Sequence, residues 1–195
     1  MVYEFLKMEI DSSRYRDKIE SILAEMQLSR DVITSGNIVS ADENALRAEV
    51  LRRFRGYPDD ELFERFPTDI EWMWTEFGGS DIAKIQYINY SYWNVLSDYS
   101  GSPIAAAKTI TAVKTIYGVP NDGFIKGADD VKSGIKFPPM IFLTDETEER
   151  FIILEGHARM TAYGLVPHLF ERVSVLLGYC AAEQLDKWYG EMVSP

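Results

Sequence analysis

The segment from Glu155 to Arg159 combines residue types that bind anions. Gly156 and His157 lie inside it, after an apolar run at residues 151–154 and before a helical pattern. The first turn of a helix has N–H groups without an intrahelical acceptor, and it carries roughly half a positive charge. A glycine there lets a ligand approach the backbone, and the histidine and arginine would add donors for phosphate oxygens. The spacing therefore predicts a phosphate site at this turn.

Two carboxylates are candidates for the chemistry of a phosphoryl transfer. Glu155 precedes the glycine, and Asp145 follows a second apolar run at residues 138–143. Either carboxylate could take a proton from an attacking hydroxyl or hold magnesium that a nucleotide brings with it. Two structural alternatives stay open. In one, Arg159 pairs with Glu155 across the turn; in the other, the Glu155 charge stabilises the helix N-terminus.

Ser100 and Ser102 form a second candidate contact for an anion. They flank Gly101 and precede Pro103, which is typical of a helix that begins with a capping serine and a proline at its first position. Such a helix start is itself favourable for a bound anion. Both serines are therefore candidate phosphate ligands.

The remaining residues that could do chemistry favour structural roles. Cys180 is the one cysteine of the sequence, which excludes an internal disulfide, and its place at the end of an apolar strand predicts a buried, inert thiol. His168 is expected at the surface, and the two histidines are too far apart for a zinc site, so no protein-held metal is predicted. The many aromatic residues between positions 72 and 99 are expected to serve the core rather than to stack on a base.

The elements that must position these residues are predicted from the spacing of apolar side chains. A capping box at residues 40–43 predicts a helix with Leu46, Val50 and Phe54 on its buried side and Arg47 among the arginines around it. The other expected elements of the front half are a strand at 2–10, a helix after Ser12 or Ser13, short helices at 61–66, at 68–77 and within 81–99, and a helix from 103 to about 117. The back half should contain a loop at 121–136 with a short helix at 128–132, strands at 138–143, 151–154 and 172–179, a helix after Gly156 and a helix at 181–189.

Composition and charge restrict the partners. The chain has 195 residues, 46% of them hydrophobic, and a formal net charge of -11 from 20 basic and 31 acidic side chains. Because binding to a nucleic-acid backbone needs clustered Lys and Arg, no nucleic-acid partner is expected. The sequence has no signal-peptide pattern and no apolar run near the roughly 20 residues of a membrane span. We therefore predict a cytoplasmic protein without a membrane partner.

One segment of the sequence resembles the ParB/sulfiredoxin-like (ParB-like nuclease domain) superfamily. It consists of the predicted strand, the Gly156-His157-Ala158-Arg159 turn and the helix that follows. The resemblance covers residues 137–178. It implies a nucleotide-phosphate site in which the glycine allows close backbone approach and the histidine and arginine contact phosphate. It also implies ATP or ADP with magnesium as the cofactor.

The resemblance implies further roles and has two departures. Glu155 would occupy the position of a functional carboxylate in the serine kinases of the superfamily, and Ser100 or Ser102 would add hydroxyl contacts to phosphate. Sulfiredoxin chemistry needs a cysteine between the glycine and the histidine, and this sequence has none. The partition proteins place a helix-turn-helix DNA reader after this core, whereas only one helix is expected after residue 181, so DNA partitioning is not expected.

These observations predict an α/β (α+β) fold with a small mixed sheet of the ParB/sulfiredoxin-like type and a helix-rich N-terminal half. Residues 1–136 would pack on a core at 137–195 in one compact domain. The predicted function is binding of a nucleotide or other small phosphorylated molecule, with phosphotransferase activity as its catalytic form. The alternative is a non-catalytic interaction or regulatory protein that keeps the fold and binds a protein partner.

Overall fold

The computed structural model describes residues 1–190. Contacts within the chain define two compact units, Met1–Phe66 and Pro67–Pro195, which we call the amino-terminal and carboxyl-terminal units. The first is helical, and the second contains every strand among the described residues.

The amino-terminal unit consists of four α-helices and a short 3-10 turn. The helices are α1 (Val2–Glu9), α2 (Arg16–Glu25), α3 (Asp31–Thr34) and α4 (Ala41–Arg55). The prediction of a strand at residues 2–10 is wrong, because Phe5, Leu6 and Ile10 are buried together by the helical spacing of α1. The capping box is confirmed: the Ser40 hydroxyl accepts from the Glu43 N–H, and α4 ends at Gly56 in the left-handed conformation.

The burial of Arg47 differs from the burial pattern predicted for α4. Its side chain is fully buried, whereas Leu46, expected inside, is 37% exposed. The guanidinium donates to the backbone oxygens of Val32 (2.7 Å) and Asn37 (3.1 Å), and it pairs with Glu43 (2.6 Å). The hydrogen-bonding needs of a buried cation are thus met by α3, by the loop that follows it and by α4 itself, which sequence periodicity does not reveal.

A five-stranded mixed sheet organises the carboxyl-terminal unit, in the order β1-β7-β5-β6-β2. Its strands are β1 (Glu71–Phe77), β2 (Ile85–Gln86), β5 (Met140–Thr144), β6 (Phe151–Glu155) and β7 (Val173–Tyr179). β7 runs parallel to β5 and antiparallel to β1, and β6 runs antiparallel to β5 and parallel to β2. The prediction of a helix at residues 68–77 is wrong. Residues 71–77 of this segment pair with β7 as β1, and successive side chains of a strand point to opposite faces.

Five α-helices, two 3-10 helices (Ile82–Lys84 and Pro167–Leu169) and a two-stranded hairpin complete this unit among the described residues. The helices are α5 (Ser91–Leu96), α6 (Pro103–Ala112), α7 (Asp122–Lys132), α8 (His157–Leu165) and α9 (Ala182–Gly190), and the hairpin pairs β3 (Thr115–Ile116) with β4 (Val119–Pro120). Two expectations need correction. α6 ends five residues earlier than predicted, because the hairpin begins there, and α7 is a full helix where a loop with a short helix was expected.

α8 lies between its neighbours α6 and α7 and contacts both of them. Small residues allow the close approach: a Cβ at Gly164 would lie 2.2 Å from the Pro103 backbone oxygen, and one at Gly127 would lie 2.9 Å from the Cβ of Ala162. Met160 and Tyr163 of α8 join one apolar cluster with alternate residues of the sheet strands. The described chain is therefore a mixed α+β fold, which confirms the predicted fold class.

Candidate functional site

The turn between β6 and α8 is built around Gly156. Its φ is +106°, and a Cβ at this position would lie 2.5 Å from the Met140 Cγ, so glycine is required by backbone conformation and by packing. The first backbone hydrogen bond of α8 runs from the Met160 N–H to the Gly156 oxygen (2.8 Å). The N–H groups of Ala158 and Arg159 come before this first bond, and Ala158 is exposed.

Arg159 is held by internal contacts. Its guanidinium donates to the backbone oxygens of Pro138 (2.9 Å) and Pro139 and forms a salt bridge with Glu155. Only 16% of the arginine side chain and 11% of the glutamate side chain are exposed. The pairing across the turn, left open by the sequence, is thus present. It ties the start of α8 to the segment before β5, and it neutralises the carboxylate nearest the helix N-terminus.

His157 lies against aromatic rings. Its Nε2 accepts a hydrogen bond from the Ile88 N–H at 3.4 Å. Trp93 stacks on His157 and on Tyr87 with centroid distances of 4.9 Å each, while the two smaller rings are 6.2 Å apart. Rings on opposite faces of an indole would be at least about 7 Å apart, so both lie on the same face of Trp93.

A buried hydroxyl pair fixes this aromatic group to α8. The Tyr87 hydroxyl lies 2.7 Å from Thr161 Oγ1, and the Thr161 hydroxyl donates to the His157 backbone oxygen, also at 2.7 Å. Burial raises the pKa of Tyr87 well above its usual range, so its hydroxyl stays neutral. The sequence assigns the aromatic residues between positions 72 and 99 to the core as a class. That assignment is confirmed for Tyr87, which is fully buried, but not for Trp74, which is 51% exposed.

The structure separates the two predicted catalytic carboxylates. Glu155 of β6 lies opposite Ile141 of β5. Asp145 is four residues after Ile141, so it lies about 13 Å further along the direction of β5, at 3.3 Å per residue. Asp145 is buried in the turn after β5, where it accepts from the Thr147 N–H at 2.8 Å and from its hydroxyl. These hydrogen bonds hold the pKa of the Asp145 carboxyl below its usual value. One phosphate cannot contact both carboxylates.

Ser100 and Ser102 also lie apart from Gly156. Ser102 caps α6 by accepting from the Ala105 N–H at 3.4 Å, as predicted, and the Ser100 hydroxyl donates to the Ser97 oxygen at 2.6 Å. Pro103, the next residue, packs on Gly164 near the end of α8. Gly164 is eight residues from Gly156, or about 12 Å along the helix axis. Through Gly101, however, this turn also approaches the His157 side chain: the Gly101 oxygen accepts from the Tyr87 N–H at 2.8 Å, and the N–H of the next residue, Ile88, donates to His157 Nε2.

Cys180 and His168 occupy the places that the sequence predicted. The thiol is buried, and burial together with Asp145 raises its pKa to about 11, which makes it a poor nucleophile. His168 is exposed. Within residues 1–190, no group of three or more His, Cys, Asp or Glu side chains is arranged to hold a metal ion.

An acidic cleft at the end of β7 was not foreseen. It has a volume of about 450 Å³ and is lined by Asp69, Glu71, Glu146, Tyr179 and the start of α9. The Tyr179 hydroxyl donates to Glu148, which raises the pKa of the phenol to about 12. The three carboxylates come from two segments more than 70 positions apart, and the pairing of β1 with β7 and of β7 with β5 brings them together.

Comparison of this chain with protein-family models, with curated proteins and with solved structures finds no match. The resemblance to the ParB/sulfiredoxin-like superfamily therefore stays a prediction. None of the helices within residues 1–190 has the length and apolar character needed to cross a membrane.

Proposed function

We propose that the carboxyl-terminal unit binds a small phosphorylated molecule through the backbone at the start of α8. The observation that carries this proposal is the exposed first turn at Ala158, which follows a left-handed glycine and contains no acidic side chain. Such a turn presents N–H groups and the positive end of the helix dipole to solvent.

The charges around the turn favour an anion more than the sequence alone suggested. Glu155 would repel phosphate if its charge were unpaired, but Arg159 neutralises it within the fold. Arg159 therefore stabilises the turn, and we do not expect it to contact the ligand. The neighbouring Trp93 and His157 rings offer an aromatic surface, so a nucleotide is the first ligand class to test, and ATP or ADP with magnesium stays the predicted cofactor.

The same geometry favours binding over phosphoryl transfer by the predicted residues. General base catalysis needs a carboxylate within hydrogen-bond reach of the attacking hydroxyl. Glu155 is engaged by Arg159, and Asp145 lies about 13 Å along the sheet from it. The proposal is therefore limited to binding.

Ala158 offers a sharp test because its side chain is exposed. Ala158→Glu places a carboxylate in the first turn of α8, and Ala158→Gln is its uncharged control of the same size. A ligand at 100 times its Kd stabilises the folded protein by about 2.7 kcal/mol, so ATP, ADP and inorganic phosphate can be screened by thermal shift. We expect a shift for the unmodified protein and for Ala158→Gln, and none for Ala158→Glu.

The stability of the variants separates loss of binding from loss of fold. An acidic side chain in a first turn stabilises a helix by about 0.3–1 kcal/mol, so Ala158→Glu without ligand should melt no lower than Ala158→Gln. If no nucleoside di- or triphosphate moves the transition at millimolar concentration, with or without magnesium, the proposal is wrong. Equal shifts for the two variants would place the ligand elsewhere.

A further inference from the structure

Three cationic side chains of the amino-terminal unit lie around one aromatic pair. The rings of Tyr15 and Phe54 meet edge to face, with their centroids 5.3 Å apart. The Arg14 and Arg55 guanidiniums lie 4.8 Å and 5.8 Å from the Tyr15 centroid. The Lys18 Nζ lies 5.2 Å from the Phe54 centroid and donates to the Phe54 backbone oxygen at 2.9 Å. We call Arg14, Lys18 and Arg55 the cation cluster.

The two arginines of the cation cluster have no acidic partner within residues 1–190. Neither guanidinium forms a hydrogen bond or an ion pair with the described residues, and the Arg55 Nε is buried without an acceptor. A ring face attracts a cation but satisfies few of the five N–H donors of a guanidinium. Arg30, Arg47 and Arg52 of the same unit differ, because each pairs with a carboxylate. Since neighbouring like charges repel, the cation cluster favours an added anion.

The start of α2 adds backbone donors beside the cation cluster. Tyr15 immediately precedes this ten-residue helix and gives it no side-chain cap. The Ile19 N–H donates to the Tyr15 oxygen at 3.0 Å, and the N–H groups of Asp17 and Lys18 come before this bond. Asp17 is the acidic residue of the first turn, and its charge opposes a bound anion. The three cations and this one carboxylate together carry a charge of +2.

We propose that the cation cluster is a binding site for a phosphate monoester, in addition to the site at the start of α8. A phosphate monoester carries a charge close to about -2 at neutral pH, which matches the charge of the cluster with Asp17. Each guanidinium would donate paired hydrogen bonds to phosphate oxygens, and Lys18 would add a third positive charge. The net charge of -11 disfavours a long polyanion, so a single phosphate group is the favoured class.

The test uses NMR spectra of the isotope-labelled full-length protein at neutral pH. Inorganic phosphate and phenyl phosphate should shift the Arg55 Nε–H signal and the backbone amide signals of Asp17 and Lys18 along saturating curves. Sodium chloride at the same ionic strength should leave these signals in place, because it lacks the acceptor geometry. The Arg55 signal is assigned by its absence from the spectrum of Arg55→Gln.

A five-residue phosphoserine peptide distinguishes the two sources of a phosphate group. Binding tighter than that of inorganic phosphate would support the site and identify a phosphorylated side chain of a partner protein as the source. Equal binding would support the site and identify a small phosphorylated molecule.

Variants assign the binding to the cation cluster. Arg14→Gln combined with Arg55→Gln should weaken phosphate binding roughly 3- to 20-fold, as expected for the loss of two ion pairs. Arg30→Gln combined with Arg52→Gln removes the same charge from paired arginines of this unit and should change affinity by less than about 2-fold. Arg14 is exposed, so Arg14→Gln alone keeps the fold and should weaken binding roughly 2- to 5-fold.

Ala158→Glu separates this site from the one at the start of α8. The variant should leave the phosphate-induced shifts of Asp17, Lys18 and Arg55 unchanged, because its new carboxylate lies in the carboxyl-terminal unit. Either site can therefore fail without the other.

Three results would overturn the proposal. Signals of Asp17, Lys18 and Arg55 that stay in place with millimolar phosphate would exclude the site. Equal shifts with sodium chloride would reduce the effect to general screening of charge. Equal affinity of the Arg14→Gln, Arg55→Gln protein and its control pair would place the phosphate elsewhere.

Discussion

At the residue scale, Arg159 shows how a side chain suited to ligand binding can be committed to the fold. Its planar guanidinium matches a phosphate, but it also matches a carboxylate and two backbone oxygens, and those are the partners it has. The residue type predicted the chemistry of the contact correctly. The partners that Arg159 contacts depend on the position of the Pro138–Pro139 segment in the fold.

The first prediction concerns Arg159→Lys, which keeps the charge but cannot make the same set of contacts. Because the side chain is largely buried and holds two carbonyl groups, we expect the free energy of unfolding to fall by about 1–3 kcal/mol, measured by urea denaturation. Arg172→Lys at an exposed position is the control and should change stability by less than about 0.5 kcal/mol. Equal midpoints for the two variants would contradict a structural role for Arg159.

The second prediction concerns the pH dependence of Cys180. Its pKa rises from 9.0 to about 11 in the folded protein because burial disfavours the thiolate. A raised folded pKa contributes stability that is complete below pH 9 and is lost as pH rises from 9 to 11, since the unfolded thiol ionises first. Alkylation by iodoacetamide in the folded protein should therefore reach half its maximal rate near pH 11, against roughly pH 9 in urea. A midpoint near pH 9 in the folded state would show that the thiol is accessible.

At the element scale, the β6–α8 turn depends on one backbone conformation. Gly156 has a positive φ, and Met140 of the neighbouring strand occupies the space where a side chain would be. The glycine that suggested close approach of a ligand is needed first for close approach of β5. Glycines also set the distance of α8 from α6 and α7, so the position of the candidate site results from packing on three sides.

The third prediction compares two glycines. Gly156→Ala should destabilise the protein by about 2–4 kcal/mol, because a left-handed alanine is strained and its Cβ would overlap Met140. Gly123→Ala, in α7 with open space around it, should be neutral or stabilise by up to about 1 kcal/mol. Both values can be measured by denaturant unfolding, and a Gly156→Ala variant as stable as Gly123→Ala would disprove the crowded geometry of the turn.

At the scale of the whole molecule, the two units have separate internal frameworks. The amino-terminal unit is organised by α4 and by the buried Arg47, and the carboxyl-terminal unit is organised by the mixed sheet. The boundary at residues 66 and 67 falls shortly before β1, so the whole mixed sheet and the start of α8 belong to the same unit.

The fourth prediction uses Arg47 to ask whether the units unfold independently. Arg47→Met removes the donor to the backbone oxygens of Val32 and Asn37 and the ion-pair partner of Glu43, and it should destabilise residues 1–66 by about 1–3 kcal/mol. Hydrogen exchange should quicken in α1 and α4 and stay unchanged in β5, β6 and β7. Arg52→Met, exposed on the same helix, should alter neither region. Faster exchange in the sheet strands of Arg47→Met would indicate one cooperative domain.

The sequence alone determined those features that depend on neighbouring residues. The Ser40 and Ser102 caps, the apolar strands β5, β6 and β7, the start of α8 at a glycine and the buried Cys180 all follow from local spacing and residue type, because caps and periodicity act within a few positions.

Tertiary structure decided the features that depend on distant segments. The pattern at 68–77 predicts a short helix, but residues 71–77 form a strand because they pair with β7. The buried Arg47 guanidinium has its acceptors in α3 and in the loop after it. Contacts between distant segments also place Asp145 far from Glu155 and bring Arg159 to the Pro138 oxygen. They likewise form the acidic cleft from segments that are remote in sequence. Which side chains meet is fixed by sheet register and helix packing, and neither can be derived from the residues of one segment.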